Sequence, residues 1–280
     1  MARSSRQKKS LASGRPGISK PTAAKLSAKA GRTIIRSHHQ LNKALELANK
    51  AGDGNQADEL RRQIEARGGL ASYQHASLLG QSDERGGDSS KVLVEWIKPR
   101  VNGIEETLKV LEVGALSTTN ACSKWKKMAV TRIDLNSQTA GIIQQDFMER
   151  PLPTTKDERF DVISLSLVLN YVPDKEGRGR MLMRTCSFLD SHGDVEGQGF
   201  RPCLFVVLPA PCVNNSRYMN ERHLNTIMNQ LGYYTLEQKT TSKLHYSLWA
   251  FKAESVGAHK FIKRTEINPG KTRNNFSIVL

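Results

Sequence analysis

The sequence predicts an α/β fold built on a doubly wound, Rossmann-like sheet. The first observation is a series of short apolar runs, such as 110–113, 129–134 and 141–145, which suit parallel strands covered on both faces. The second is Gly114, directly after the first run, with Asp134 twenty positions later. Together they predict a βαβ nucleotide-binding half. In such a unit the glycine lets a ligand approach the backbone, and the acid accepts hydrogen bonds from ribose hydroxyls.

The glycine pattern bears on which nucleotide binds. A dinucleotide site needs G-x-G-x-x-G so that a diphosphate can sit on a helix N-terminus, but Leu116 and Thr119 stand where further glycines would be expected. Glu112-Val113-Gly114 instead fits the Glu-x-Gly opening that is usual for S-adenosylmethionine, which has a ribose and an adenine but no phosphate. The alternative is a buried parallel sheet whose strand ends happen to be acidic.

The remaining elements follow in chain order. Further strands are predicted at 160–166, 204–208, 233–241 and 245–252, and helices at 118–127, 179–189 and 220–231. The last two strands are joined by a tight turn and predict an antiparallel hairpin. A doubly wound sheet finished by such a hairpin is the architecture of class I methyltransferases.

The chain divides into four predicted regions. They are a disordered basic arm at 1–32, an N-terminal helical region at 33–108, a methyltransferase domain at 109–254 and a poorly ordered C-terminal tail at 255–280. In the helical region Leu41, Leu45 and Ala48 recur at helical spacing before a break at Gly52, which predicts a helical hairpin. The polar, glycine-rich loop at 80–88 is either an ordinary exposed loop or one that lines a site.

The formal charge of +15 is unevenly distributed. Residues 1–45 hold eleven Lys and Arg and no Asp or Glu, so the rest of the chain carries only +4. A basic tail usually indicates polyanion binding or nuclear targeting, and the alternative is an unspecific solubilising tail. With neither an apolar signal segment nor a stretch of about 20 apolar residues, we expect a soluble intracellular protein without a membrane span.

The cysteines show no metal-binding spacing. They are Cys122, Cys186, Cys203 and Cys212, without any Cys-x-x-Cys or paired His pattern. We therefore expect reduced thiols and no zinc or other metal site.

Several segments together resemble the fungal 25S ribosomal-RNA adenine-N1 methyltransferases. The segments are 81–91, 111–114, 132–135, 145–147 and 166–173, within a similarity that covers 69–252. The resemblance implies a nuclear, nucleolar enzyme that uses S-adenosylmethionine to methylate N1 of one adenine in large-subunit ribosomal RNA of the pre-ribosome. Animal relatives are similar in sequence but act as S-adenosylmethionine sensors, so a non-catalytic regulator is the alternative function.

The resemblance also implies which residues bind the cofactor. Gly114 is expected against the methionine part and Asp134 on the ribose hydroxyls. Asp146 is expected to accept from the adenine amino group, with Phe147 packed on the ring. Because the second and third glycines of the wider superfamily are missing, the shape of the first loop stays open.

Four further site residues are expected. Ser164 is expected on the pocket floor, and Arg85 folded over the site where it pairs with the methionine carboxylate. Because N1 lies on the Watson–Crick edge, the target base must be unpaired or flipped. Asn170 is expected to bond the base edge and Tyr171 to stack on it, the alternative being that both only end a strand and begin a turn. The sequence shows neither a Ser/His/Asp grouping nor a carboxylate pair, which suits a reaction without a covalent intermediate.

Overall fold

The computed structural model describes residues 27–80, 87–103, 105–137, 139–190, 200, 202–255 and 261–280. The N-terminal part forms three helices. They are α1 (Ala28–Ala51), α2 (Gly54–Ala66) and α3 (Gly69–Gly80). Helices α1 and α2 pack on each other after a break at Gly52, which ends α1 in the left-handed conformation. The predicted helical hairpin is therefore confirmed.

Helix α1 begins inside the segment that was predicted to be disordered. Ser27 caps it, because the Ser27 Oγ accepts a hydrogen bond from Ala30 N at 3.1 Å. Residues 28–32 are helical, so the predicted arm boundary at residue 32 is wrong. Residues 1–26 lie outside the described residues.

A seven-stranded sheet forms the main domain. Its strands are β1 (Leu108–Val113), β2 (Met128–Asp134), β3 (Ile143–Gln144), β4 (Val162–Ser166), β5 (Cys203–Pro209), β6 (Tyr233–Thr240) and β7 (Leu244–Phe251). Their spatial order is β3-β2-β1-β4-β5-β7-β6, and β7 alone runs antiparallel to its neighbours. This confirms the predicted doubly wound sheet with a final antiparallel hairpin, the class I methyltransferase fold.

Helices cover both faces of the sheet. They are α4 (Ser90–Ile97), α5 (Ala121–Lys124), α6 (Lys175–Phe188), α7 (Ala210–Asn214) and α8 (Glu221–Gln230). Apolar residues of α6 and α8 pack on one face, and those of α4 and α5 on the other. This burial on both faces explains the continuous apolar runs of the central strands. None of the helices within the described ranges has both the length and the apolar composition needed to span a membrane.

The strand order reverses between β1 and β4, which is the point where ligands bind in open α/β sheets. Val113 at the end of β1 is in register with Ile133 of β2 on one side and with Leu165 of β4 on the other. The loops that follow these three parallel strands therefore lie side by side at one edge. We call it the carboxyl edge of the sheet.

Helix α5 is shorter than the predicted helix at 118–127. It begins only at Ala121, because the Asn120 Oδ1 caps it by accepting from Ser123 N at 3.1 Å. The backbone is extended again at Trp125, so most of this connection is loop.

Helix α6 starts four residues before the predicted Gly179. Asp174 caps it, since its Oδ1 accepts from Gly177 N at 2.8 Å. A glycine pair at 177 and 179 weakens the helical pattern in sequence, whereas the cap and tertiary packing stabilise the helix.

The C-terminal segment contradicts the prediction of a poorly ordered tail. Phe276, Ile278 and Val279 are buried, with exposed fractions of 8, 1 and 6%. The Ser216 Oγ donates a hydrogen bond to the Phe276 carbonyl oxygen at 2.6 Å. The last five residues are therefore part of the core, while residues 256–260 lie outside the described residues.

Candidate functional site

A cavity of about 760 Å³ lies between the carboxyl edge of the sheet and the N-terminal helices. The sheet side is lined by the residues that follow β1, β2 and β4, and by Gln145 and Asp146 after β3. The helix side includes polar residues on one face of α1: His38, Asn42, Glu46 and Asn49. A salt bridge of 3.7 Å from Lys50 to Asp174 joins the end of α1 to the start of α6. The helical region thus forms the roof of the cavity.

Gly114 shapes the first loop. Its φ of 74° lies in the left-handed region, and a Cβ there would stand 2.8 Å from the Val168 Cγ2. The backbone N–H groups of Gly114 and Ala115 both donate to the Ile133 carbonyl oxygen, at 2.9 and 3.1 Å. A single glycine therefore makes the turn, and its lack of a side chain lets Val168 approach the loop. The missing second and third glycines are not needed for this turn.

Two acidic residues from neighbouring strands face the same cavity. Asp134 ends β2, and its Oδ1 accepts from Asn136 N at 2.9 Å. Gln145 N donates to the Asp134 carbonyl oxygen at 2.9 Å, which brings the following Asp146 alongside. The Asp146 Oδ1 accepts from Met148 N at 2.7 Å. The structure thus brings Gly114, Asp134 and Asp146 together.

Phe147 borders the cavity, but its ring belongs to the core. The side chain is 2% exposed, and its ring centroid lies 5.3 Å from that of Phe188. Arg184 stands over the same ring, at 5.9 Å from its centroid. Sequence reasoning missed Leu135, which lines the cavity and is 60% exposed. The signal was an apolar residue directly after the strand-ending acid.

The structure contradicts the expectation that Ser164 forms the pocket floor. Ser164 is 5% exposed and lies inside β4, paired with Glu112 and Phe205 on the neighbouring strands. Ser166, at the end of the same strand, lines the cavity instead. Its Oγ lies 2.7 Å from the Ser89 Oγ. Ser164 lies two residues before the end of β4, inside the strand, so it does not reach the carboxyl edge.

Arg85 lies outside the described residues, so its position over the site stays a prediction. The residues that follow it are tied to the first loop. The Asp88 Oδ1 accepts from Ser90 N at 2.9 Å, and its Oδ2 accepts from Ala121 N at 2.6 Å. Gly87 and Ser89 line the cavity. The described end of the glycine-rich segment thus borders the cavity, and the choice between a site-lining and an ordinary exposed loop stays a prediction for the rest of it.

The loop after β4 carries a strained residue. Leu167 has φ of 59°, the one non-glycine residue with positive φ in the described part of the chain. Such strain costs about 1–3 kcal/mol and clusters at functional sites. Tyr171 lines the cavity, and its N–H donates to the Val168 carbonyl oxygen at 2.9 Å. The Asn170 Oδ1 is buried without a hydrogen-bond partner among the described residues.

Glu112 supports the first loop from the other face of the sheet. Its Oε1 accepts from Asn120 Nδ2 at 2.7 Å. Burial raises the pKa of Glu112 to about 7, while the positive charge of Arg132 opposes that rise. The carboxyl group is not among the cavity-lining residues. It holds the end of the loop and does not contact the cavity.

The four cysteines are free thiols. Burial raises the pKa of Cys122 and Cys212 to about 12 and that of Cys186 to about 11, so they stay protonated near neutral pH. Over the described ranges, His, Cys, Asp and Glu form no group of three or more that could hold a metal ion.

Solved structures of methyltransferases resemble this chain at low identity. The O-methyltransferase NcsB1 from neocarzinostatin biosynthesis, in complex with S-adenosyl-L-homocysteine, gives a TM-score of 0.47 at 13% identity over 78% of this chain and 70% of that one. The Burkholderia thailandensis 1,6-didemethyltoxoflavin-N1-methyltransferase gives 0.40 at 13% identity, covering 64% of this chain and 86% of that one.

Two fungal proteins are much closer in sequence. The Saccharomyces cerevisiae 25S rRNA (adenine(2142)-N(1))-methyltransferase is 39% identical over 222 residues, which are 79% of this chain and 63% of that protein. The Schizosaccharomyces pombe 25S rRNA adenine-N(1) methyltransferase is 36% identical over 254 residues, 89% of this chain and 90% of that one. The family model for the 25S rRNA (adenine(2142)-N(1))-methyltransferase, Bmt2, matches residues 58–278. Since that match includes the whole sheet and every loop of its carboxyl edge, the chain belongs to the Bmt2 family.

Proposed function

We propose that this protein transfers the methyl group of S-adenosylmethionine to N1 of an adenine in large-subunit ribosomal RNA. The observation that carries the proposal is the family match over residues 58–278, which contains the whole carboxyl edge of the sheet. Both fungal relatives are named for that reaction on 25S rRNA. The chain covers only 63% of the length of the S. cerevisiae protein, so we propose the RNA substrate of that relative for this chain and do not take it as shown.

The residues at the edge fit the cofactor. Gly114 lines the cavity, and we assign its exposed backbone to the methionine part of the cofactor. Asp134 and Asp146 both line the cavity, and we assign the Asp134 carboxylate to the ribose hydroxyls and Asp146 to the adenine amino group. We assign the apolar contact with the adenine ring to the exposed Leu135, because the ring of Phe147 packs on Phe188. Phe147 then packs in the core at the border of the cavity, against Phe188.

Arg85 remains our proposed partner for the methionine carboxylate. It lies two residues before Gly87, which lines the cavity, and an arginine fork matches a carboxylate in geometry and charge.

The chemistry asks the protein for positioning. When bound, S-adenosylmethionine supplies the methyl group on a sulfonium, which is a good leaving group. Neutral adenine carries a lone pair and no proton at N1, so no general base is required to free the nucleophile. The protein must hold N1 in line with the methyl group, within about 3–3.5 Å, and exclude water.

The loop after β4 is the proposed binding place for the target base. The Asn170 Oδ1 is buried without a partner among the described residues, and Asn170 is not among the residues that line the cavity. We therefore propose that its side chain turns toward the cavity to accept a hydrogen bond from the adenine amino group beside N1. Tyr171 lines the cavity and offers a ring on which the flipped base can stack.

The basic arm supports RNA as the partner. Phosphate contacts dominate the affinity of proteins for RNA, and Lys and Arg are concentrated before residue 46. Lys243, on the β6–β7 turn, also lines the cavity and brings a positive charge to it. We propose the nucleolar pre-ribosome as the place where the protein meets this RNA.

The test is methyl transfer to RNA from cells that lack the protein. Wild-type protein and Asp134→Ala are incubated with that RNA and labelled S-adenosylmethionine, and methylated adenines are mapped by mass spectrometry. One N1-methyladenine in large-subunit RNA with the wild type, and none with the variant, supports the enzyme. If the wild type binds the cofactor tightly yet methylates no adenine in ribosomal RNA, the sensor function replaces it.

A further inference from the structure

We propose that Arg178 is a positioning residue that holds the base-facing loop, residues 167–173, and that the C-terminal strap, residues 276–280, locks Arg178 in place. The inference rests on the proposed function, because it assigns the loop to the target base. Arg178 lies outside the cavity lining, and residues 276–280 belong to the segment that the sequence predicts to be a poorly ordered tail.

The Arg178 guanidinium donates to two carbonyl oxygens of the loop. Its Nε donates to the Leu169 carbonyl oxygen at 3.2 Å, and its Nη2 donates to the Pro173 carbonyl oxygen at 3.3 Å. These two carbonyls flank Asn170 and Tyr171. One rigid, planar group therefore fixes the distance across the segment that carries both proposed base contacts.

The strap occupies the remaining side of the same guanidinium. The Arg178 Nη1 donates to the Ser277 carbonyl oxygen at 2.8 Å, and the Phe276 ring lies over the charge with its centroid 4.6 Å away. Carbonyl oxygens and an aromatic face thus surround the cation. Because the donors are divided between loop and strap, the loop geometry depends on the strap staying in its seat.

The strap is seated by contacts that do not involve Arg178. A Cβ at Gly179 would overlap the Val279 carbonyl oxygen, so only glycine allows the strap to lie against α6. Val279 N donates to the Lys175 carbonyl oxygen at 3.3 Å, and the Ser216 Oγ donates to the Phe276 carbonyl oxygen at 2.6 Å. The strap is therefore a built part of the domain on which Arg178 can rest.

The loop needs such a support. Leu167 is held at φ of 59°, and the Asn170 Oδ1 is buried unpaired among the described residues, so the loop conformation is costly by itself. A displacement of about 1 Å in a positioning group can cost about 100-fold in rate. Support of this kind affects transfer to the base and leaves the cofactor contacts at Asp134 unchanged.

The test compares Arg178→Lys with Arg180→Lys. Arg180 lies on the same helix but is exposed, which makes it the matched control. For Arg178→Lys we expect kcat for methyl transfer to fall about 10- to 100-fold, with the cofactor Kd changed less than about twofold. Hydrogen exchange at the Tyr171 amide, which bonds Val168 in the wild type, should accelerate. Arg180→Lys should match the wild type in all three.

A second variant guards against misfolding. Phe276→Leu keeps an apolar side chain in the strap and removes the ring over Arg178. Like Arg178→Lys, this variant should have a lower kcat than the wild type and faster hydrogen exchange at the Tyr171 amide. Unchanged exchange and kcat in folded Arg178→Lys overturn the proposal, as does a loss of cofactor affinity equal to the loss of kcat. If the wild type methylates no RNA, the proposed function fails, while the exchange data still decide whether Arg178 holds the loop.

Discussion

Asp134 is the residue at which cofactor binding is most directly testable. Its carboxylate is expected to take charge-assisted hydrogen bonds from ribose hydroxyls, each worth about 1.5–3 kcal/mol. Asp134→Ala should therefore weaken cofactor binding by at least that amount and abolish methyl transfer, as measured by calorimetry and a transfer assay. Asp157→Ala removes a carboxylate that is 96% exposed, and should leave both unchanged. Equal affinities for Asp134→Ala and the wild type would contradict the assignment.

Asn170 is expected to behave differently, because its proposed partner is the base. Asn170→Ala should keep the cofactor Kd within about twofold and lower transfer to RNA about 10- to 100-fold, since one positioned hydrogen bond is lost. The same calorimetric and transfer measurements separate the two residues. Transfer at the wild-type rate would show that Asn170 does not contact the base.

Glu112 gives a prediction about pH. Burial raises its pKa from an ordinary 4.5 to about 7, so between these values the folded protein keeps a proton that the unfolded chain has released. The free energy of unfolding should therefore fall as pH rises from about 4.5 to 7, by up to about 3 kcal/mol from this group. The Glu112→Gln side chain stays neutral, so the variant does not lose unfolding free energy in this way. Urea unfolding at pH 5 to 8 should show the variant gaining stability relative to the wild type, whereas a constant difference would contradict the prediction.

At the scale of elements, two loops from different strands share one contact. Gly114 of the first loop lies against Val168 of the base-facing loop, where an added Cβ would stand 2.8 Å from Cγ2. Gly114→Ala should lower both stability and cofactor affinity, by about 1–2 kcal/mol from the positive φ alone. Adding Val168→Ala should recover the steric part and leave the backbone part. Thermal unfolding and calorimetry on both single variants and the double variant test this, and strictly additive losses would contradict the shared contact.

The elements also show what a sequence can predict. Central strands such as β1, β4 and β5 can be predicted from the sequence, because burial on both faces requires nearly continuous apolar runs. The direction of the Phe147 ring depends on Phe188, about forty positions away, and no local pattern contains that information. The end of β4 at Ser166 is predicted correctly, and the expectation for Ser164 fails because that residue lies inside the strand and is buried between its neighbours. The strap was missed because the polar average over 255–280 hid the apolar residues after 275.

At the scale of the whole molecule, the N-terminal part of the chain combines two features. It contains the helix that covers the cavity, and it carries most of the excess positive charge. Helix α1 covers the cavity and is linked to α6 through Lys50 and Asp174. The basic residues of 1–26 directly precede α1 in the sequence, so the positive charge adjoins the helix that covers the cavity. The helical boundary could not be placed from composition, because Ser27 begins a helix within a Ser-, Ala- and Lys-rich stretch.

The arm itself gives the final prediction. Residues 1–26 contain seven Lys and Arg and no acid, and stop just before the Ser27 cap. If all seven contact phosphates, deleting them should reduce the slope of log affinity against log salt by up to about 5, at about 0.7 per contact for single strands. RNA affinity should fall most at low salt, while cofactor affinity stays unchanged. The control replaces the seven residues with Gln and keeps the length, so that charge and chain length are separated. The measurement is RNA binding from 50 to 300 mM salt. An unchanged slope after deletion would assign the RNA contacts to the folded domain, with Lys243 at the cavity mouth as the first cation to test.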